Sequence, residues 1–164
     1  MVKKICALAA AIILLGAVAC MGGVAGEPLY KGVSVVQFLG GPRSDVVEAF
    51  GSKLSYDDYF EGARCCGYND EILFFFDVFS DETLAVVVTK PNTLELSGIK
   101  LHMDREELVK VFGLPDEEEA SYNEMDDEKA YIYTYHGRNY LLKFTMYVLG
   151  EKVRNIRITP SPWQ

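Results

Sequence analysis

Apolar residues recur at helical spacing in two short segments that lie about 62 positions apart. Each segment has apolar residues at positions i, i+1 and i+4, namely Val46, Val47 and Phe50 in the first and Leu108, Val109 and Phe112 in the second. These positions share one side of a helix, so each segment predicts a short amphipathic helix. The recurrence predicts a chain built from two copies of one unit.

Residues that start and stop helices bound both segments. Asp104 suits the N-cap of the second helix, and Glu107 three residues later completes a capping box. Pro42 suits the first position of the first helix, where its missing N–H costs nothing. Gly51 and Gly113 each follow the last apolar position, which predicts helix ends that use the freedom of glycine at positive φ.

Runs of β-branched and aromatic residues after each helix predict antiparallel strands separated by turns. The ranges are 63–66, 71–79 and 83–90 in the first copy, and 131–135, 140–148 and 153–159 in the second. The ranges 71–79 and 83–90 are apolar on both faces, so we expect the second copy or a partner to cover the face that the helix leaves free. The predicted fold class is α+β. It comprises two tandem repeats, each a short helix followed by an antiparallel meander of three strands or longer, in one sheet-based domain where the copies bury each other's open faces.

The first 20 residues predict a signal peptide. Lys3 and Lys4 precede an uncharged apolar run, 5–19, which is short for a membrane span and suits a signal h-region. Cleavage before Cys20 would make it the lipidated first residue of a bacterial lipoprotein, while plain secretion with a cut there or after Ala25 is the alternative. Both readings place the folded part outside the cytoplasm. The predicted organisation is then a tether at 21–31, repeat 1 at 32–90, a linker at 91–97 and repeat 2 at 98–160.

The net charge of the chain limits the classes of molecule that we expect it to bind. The chain of 164 residues has a formal net charge of −8, and 49% hydrophobic residues provide enough apolar surface for a folded core. So acidic a chain repels phosphate backbones, which argues against a nucleic acid as partner. A basic protein partner or divalent cations are compatible with it, and contact with a membrane is expected only through a lipid anchor.

Residue types that commonly carry chemistry are sparse. Cys65 and Cys66 are neighbours, so we expect them on opposite faces of a strand and without a mutual disulfide or a Cys-x-x-Cys site. His102 and His136 fall in predicted turns with no spacing typical of a ligand set. A Gly-x-Ser-x-Gly elbow and a glycine-rich phosphate loop are both missing from the sequence. We therefore predict no enzymatic activity, no cofactor and no bound metal.

The acidic segment 116–128 contains eight acids but lacks the spacing that holds calcium. It predicts a solvated loop that could steer a basic partner. Tyr131, Tyr133 and Tyr135 alternate and so share a strand face, and Tyr147 is expected on the matching face of the next strand. These tyrosines either pack under the helix or form a protein-binding surface. The candidate partner-binding residues are Phe75, Tyr131, Tyr133, Tyr135, Tyr147, Glu117, Glu118, Asp126 and Asp127.

The segment Gly98-Ile-Lys-Leu-x-Met-Asp-x-Glu-Glu-Leu-x-x-x-Phe-Gly-x-Pro115 resembles the recurring helix motif of the β-lactamase-inhibitor-protein-like fold. It is also similar to the motif of the small outer-membrane lipoproteins of the SmpA/OmlA family. The resemblance implies an extracytoplasmic protein whose units place a short helix against an antiparallel sheet, and in the inhibitors two repeats form one concave sheet. His102 stands where the family has glycine, and adjacent Cys65 and Cys66 do not match the inhibitors' disulfides.

The favoured functional hypothesis is a secreted or lipid-anchored, non-enzymatic protein-binding module of a bacterial envelope. One alternative is an inhibitor of a secreted enzyme, such as a β-lactamase or a protease, on analogy of fold alone. A second alternative is a structural lipoprotein in envelope assembly.

Overall fold

The computed structural model describes residues 24, 26–60, 62–91, 93–95, 100–123, 128–147 and 152–162. The predicted signal peptide with Cys20, the start of the second copy at Gly98, and the candidate residues Asp126 and Asp127 lie outside the described residues.

Two short helices and ten strands make up the described fold. Helix α1 spans Arg43–Phe50 and helix α2 spans Arg105–Phe112. A small hairpin of β1, Leu29–Tyr30, and β2, Val33–Ser34, precedes a short 3₁₀ helix at Val36–Phe38. The remaining strands are β3 Tyr56–Phe60, β4 Ala63–Tyr68, β5 Ile72–Asp77, β6 Thr83–Val88, β7 Glu117–Asn123, β8 Glu128–His136, β9 Tyr140–Tyr147 and β10 Lys152–Pro160.

One antiparallel sheet of eight strands contains both halves of the chain, in the order β3-β4-β5-β6-β10-β9-β8-β7. The halves join where β10 pairs antiparallel with β6, with Arg157 opposite Val87 and Ile158 opposite Val86. The α+β class is therefore confirmed. The expectation that the copies bury each other's open faces is wrong, because the halves meet edge to edge and continue one sheet.

In the large sheet, each half has one strand that was not predicted from the sequence, and both are edge strands. Strand β3 lies where no strand was predicted, and all five of its residues are exposed. Strand β7 occupies part of the predicted acidic loop 116–128, so that segment is partly a strand paired with β8 rather than a loop. Charged edge strands need few apolar residues, and their charges discourage pairing with other chains.

Both helices lie on the same face of the sheet. In each half, a cluster of three aromatic rings packs the helix against the strands, and the two clusters correspond. Three rings meet in the first half, where Phe50 lies 5.6 Å from Tyr68 and 5.8 Å from Phe74. In the second half the corresponding centroid distances, from Phe112 to Tyr135 and to Phe144, are 5.3 and 5.4 Å. In each half the tyrosine meets the strand phenylalanine edge to face, at interplanar angles of 87° and 86°. Aromatic pairs at these separations favour tilted and edge-to-face packing.

The predicted helix boundaries are confirmed. Asp104 caps α2, and both hydrogen bonds of the capping box with Glu107 are present. Gly51 and Gly113 end the helices at φ angles of 88° and 82°. Their carbonyls accept hydrogen bonds from the hydroxyls of Tyr68, at 2.9 Å, and Tyr135, at 3.3 Å. These hydroxyls satisfy carbonyl groups that a helix end leaves without a partner. Pro42 differs slightly from expectation, since it is the N-cap of α1 rather than its first helical residue.

A residue with positive φ precedes each helix by the same interval. Gly40 has φ 76° and His102 has φ 69°. The backbone N–H of Gly40 donates to the carbonyl of Thr83 at 2.9 Å, at the start of β6. The N–H of His102 donates to the carbonyl of Val153 at 2.7 Å, near the start of β10. His102 therefore occupies a backbone conformation that favours glycine.

The folded body begins earlier than the predicted start of repeat 1 at residue 32. Tyr30, within the predicted tether 21–31, belongs to β1 and is 2% exposed. Its hydroxyl donates to Glu71 Oε2 at 3.0 Å and accepts a hydrogen bond from Asn69 at 3.0 Å. The N-terminal hairpin is thus part of the core beside α1.

We predict that His102→Gly stabilises the protein, because it relieves a left-handed backbone at an exposed position. The free energy of unfolding should rise by about 0.5–1 kcal/mol in urea denaturation. Gly40→Ala is the matched control and should lower it by about 1 kcal/mol or more, since it creates the same strain in the first half. A decrease for His102→Gly would contradict this account.

Candidate functional site

The face of the sheet opposite the helices carries no described helix, and we refer to it as the open face. The strand register defines it. Leu73 of β5 lies opposite Val87 of β6, Val87 opposite Arg157 of β10, and Arg157 opposite Lys143 of β9. Residues that are directly opposite share a face, and side chains alternate along each strand, so this row and its neighbours two positions away line the open face.

A groove of about 650 Å³ runs across the open face. Its first-half wall is apolar and includes Phe60, Leu73 and Phe75. Phe60 is 47% exposed and its ring lies 6.4 Å from that of Phe75. The far side includes Tyr147 and Thr145. On this face Leu73 and Phe75 of β5 are half-buried, whereas Val87 of β6 is buried. The apolar wall is thus partly shielded by the described residues around it.

Three cationic side chains occupy the middle of the open face. The Arg157 guanidinium lies over the ring of Phe75 at 5.7 Å, and that of Arg154 lies over the ring of Tyr147 at 5.4 Å. Lys143 is directly opposite Arg157 on the neighbouring strand. Among the residues that the structure describes, no ion pair includes any of these three cations.

A β-bulge in β10 produces this arrangement. Val153 lies opposite Met146 and Asn155 opposite Thr145, so Arg154 is the extra residue. The bulge returns Ile156 to the core face and brings Arg157 opposite Lys143. Sequence analysis missed Arg154, Asn155 and Arg157 as site residues. The available signal was the pair of consecutive polar residues, Arg154 and Asn155, which breaks the alternation of a regular strand.

Asn155 lines the groove between the two arginines. Its Oδ1 atom is buried, and within the described part of the chain it has no hydrogen-bond donor. A buried acceptor without a donor costs free energy of folding, and this atom is covered by protein rather than open to the groove.

The two cysteines point to opposite faces, as predicted. Cys66 belongs to the core cluster under the helices, while Cys65 faces the apolar wall of the groove beside Leu73 and Phe75. Both thiols are free and buried. Burial raises the pKa of Cys65 to about 11, with smaller contributions from Cys66 and the nearby aspartates. Burial also raises the pKa of Cys66, whose thiol donates to Asp57 Oδ1 at 3.5 Å. Neutral, buried thiols are poor nucleophiles.

The candidate tyrosines do not form one surface. Tyr133 and Tyr135 are 3% and 1% exposed and pack under α2, so the packing alternative holds for both. Burial raises the pKa of Tyr135 to about 12. Tyr131, on the same strand face but beyond the helix, is 42% exposed and stacks on Tyr133 at 6.4 Å.

Tyr147 is on the other face of the sheet from these tyrosines. It lies opposite Ala130 in β8, whereas Tyr131 lies opposite Met146. The expectation that Tyr147 shares the face of Tyr131 is therefore wrong. Side chains alternate along β9 and Met146 faces the core, so its neighbour Tyr147 faces the opposite side of the sheet.

The acidic candidates of β7 also point to opposite faces. Glu118 lies opposite Tyr133, and it pairs with Arg105 of α2 at 3.2 Å. Arg105 lies over the ring of Tyr133 at 5.8 Å. Arg105, Tyr131 and Tyr133 border a second groove of about 560 Å³ beside the start of α2. Because Arg105 is already paired with Glu118, its charge is less available to a partner than the charges of the three cations on the open face.

Glu117 lies on the open-face side of β7, opposite Thr134. Its Oε1 atom is 3.2 Å from Nε2 of His136. The side chains of both residues are largely exposed, as expected for His136 at the end of a strand. His102 is exposed as well, and its backbone rather than its ring explains its position.

In the described ranges, no group of three or more His, Cys, Asp or Glu side chains could hold a metal ion. The helices of these ranges include none with the length and apolarity to cross a bilayer.

Comparison with known proteins gives a likeness of fold. No family model matches the chain, and no curated protein matches it. An extracellular protein containing an SCP domain from Bacillus anthracis matches with a TM-score of 0.51 at 11% identity, over 77% of this chain and 45% of that one. A cysteine-rich secretory protein from Staphylococcus aureus matches with a TM-score of 0.50 at 13% identity, over 77% of this chain and 44% of that one.

A DUF4309 family protein from Bacillus subtilis has a TM-score of 0.48 at 15% identity, over 74% of this chain and 79% of that one. The chain spans less than half the length of the first two proteins. At such low identity these two matches indicate a shared arrangement of strands and helices and no shared activity.

We predict that Tyr135→Phe destabilises the protein, because the carbonyl of Gly113 loses its donor. The free energy of unfolding should fall by about 1 kcal/mol in urea denaturation. Tyr131→Phe removes the same atom from an exposed ring and should change it by less than about 0.5 kcal/mol. Equal effects of the two substitutions would contradict the structural role of Tyr135.

We also predict a loss of stability at alkaline pH that depends on Cys65. A thiol with a higher pKa in the folded state contributes its full stability below the unfolded value, about 8.5. That contribution is lost as the pH rises through the folded pKa of about 11. Urea denaturation between pH 8 and pH 11 should show this fall, with a smaller one in Cys65→Ala. An unchanged pH dependence in the variant would refute the assignment.

Proposed function

We propose that this protein is a non-enzymatic protein-binding module and that the open face of its sheet is the docking surface. The observation that carries this proposal is the apolar wall of Phe60, Leu73 and Phe75, which the described helices leave uncovered. The strands β5 and β6 carry apolar side chains on both faces. Strands of this composition are typically covered twice.

The way in which the two halves join helps to identify what covers the open face. The sequence analysis left two candidates to cover this face, the second copy or a partner. Because β6 and β10 pair at their edges, the described strands of the second half lie beside the first half and not over its open face. This arrangement supports a partner protein as the occupant, and the exposed aromatic and arginine side chains of this face are the types enriched at protein interfaces.

We infer that the module acts outside the cytoplasm. The predicted signal peptide supports this location, and two structural neighbours are titled an extracellular and a secretory protein. The tandem-repeat interpretation belongs to the same proposal. The matching ring sets, helix ends and positive-φ residues of the two halves support it, while the resemblance to β-lactamase-inhibitor-like proteins stays a prediction.

Site-specific photo-cross-linking tests the docking surface. A benzoylphenylalanine replaces Phe60 on the open face, or Val111 on α2, which is similarly exposed at 42%. In cells that naturally produce the chain, position 60 should yield an adduct of defined mass with one envelope protein, and position 111 should not.

The identified protein is then purified and its affinity for the chain is measured. Phe60→Glu should weaken binding at least about tenfold, because it places a charge in the contact, and Val111→Glu should leave binding unchanged. Equal labelling at both positions, or equal loss with both glutamates, would refute the open face as the docking surface.

Anchoring is tested separately at Cys20. If the lipoprotein prediction holds, the wild-type chain incorporates labelled palmitate and sediments with membranes. Cys20→Ala should lose the label and appear in the soluble extracytoplasmic fraction. A variant that remains membrane-bound would count against a lipid anchor at this cysteine.

A further inference from the structure

The open face places like charges directly opposite each other in an acidic protein. Lys143 and Arg157 are register partners on β9 and β10, and Arg154 adds a third cation at the bulge. Like charges in this position destabilise a sheet. The chain has 24 acids for 16 basic residues, yet Glu117, the acid in the same row, lies two strands beyond Lys143 and contacts His136. At about 4.8 Å per strand, that is close to 10 Å away.

Local charges decide what such a groove attracts. At physiological ionic strength, charges more than about 8 Å away are largely screened. Glu117 therefore does little to offset Lys143 and Arg157, the two cations of its row. The rings of Phe75 and Tyr147 hold the two guanidinium groups by their faces. This contact leaves the N–H edges of the guanidinium groups free to bind carboxylates.

The apolar wall beside the cations separates a peptide from simple anions. Phe60, Leu73 and Phe75 line the same groove as Arg154 and Arg157. Inorganic phosphate supplies negative charge but no apolar group to cover this wall. A polypeptide supplies carboxylate side chains together with apolar groups that match the wall of Phe60 and Phe75.

We propose that the groove binds an acidic, apolar-containing segment of the partner protein. Its carboxylates pair with Lys143, Arg154 and Arg157. Apolar side chains of the segment cover Phe60 and Phe75. This inference rests on the proposed function and specifies the chemistry of the partner.

The test uses the whole folded chain and fluorescent octapeptides in anisotropy titrations. One peptide alternates Asp with Phe or Gly, and the second has Lys in place of every Asp. Inorganic phosphate and phosphatidylglycerol vesicles are the competing anions. The acidic peptide should bind with an affinity that falls as salt rises. The basic peptide should bind at least about tenfold more weakly.

Two charge variants make the readout specific. Lys143→Gln should weaken binding of the acidic peptide about five- to tenfold. Lys110→Gln, the same change on α2, should leave this binding unchanged. Lys143→Gln should also raise the Tm of the free protein by about 1–3 °C, since it removes the opposed like charge. A merely structural lysine would lower the Tm instead.

Several outcomes would overturn the proposal. One is binding of the basic peptide that equals or exceeds that of the acidic peptide. A second is a loss of affinity with Lys110→Gln as large as that with Lys143→Gln. The third is displacement of the acidic peptide by phosphate or vesicles alone. If a partner cross-links at position 60 but binds through a basic segment, the proposed function stands and this inference fails. If no partner cross-links there, the docking surface itself is refuted.

Discussion

The pairing of β6 with β10 determines how the rest of the molecule is arranged. Each half alone is a helix followed by four antiparallel strands, and this pairing joins the two sets into one sheet. Because the strand phases match across it, both helices pack on the same face and build one shared core. The same phases leave the opposite face without a described helix. The proposed docking surface is thus on the face that results from joining the halves by their edges.

Local signals in the sequence predicted local structure well. The capping box at Asp104 and the glycine stops depend only on neighbouring residues, and they occur where the sequence indicated. The edge strands β3 and β7 were missed because their side chains are mostly polar and exposed. Alternation along the range 140–148 suffices to place Lys143 on the face opposite to Leu142 and Phe144, but its opposition to Arg157 depends on a bulge and on strand register. Side-chain period alone does not determine register.

Charge placement matters more here than net charge. From the total of −8, a basic partner was the natural expectation. The structure instead distributes acids along the edge strands and the helices, and concentrates three cations at the centre of the open face. Arg105 shows the contrast, since it is paired with Glu118 and stacked on Tyr133. A sequence total cannot distinguish a paired cation from an unpaired one, because the pairing is set by tertiary contacts.

The bulge at Arg154 also affects how this groove can change through evolution. A bulge carries an additional residue while the strand on either side keeps its phase. Loss of position 154 would leave Val153, Ile156 and Ile158 facing the core as they do now. A single-codon deletion at this point would therefore remove one positive charge from the groove without altering the core. The charge of the open face and the packing of the core can thus change independently.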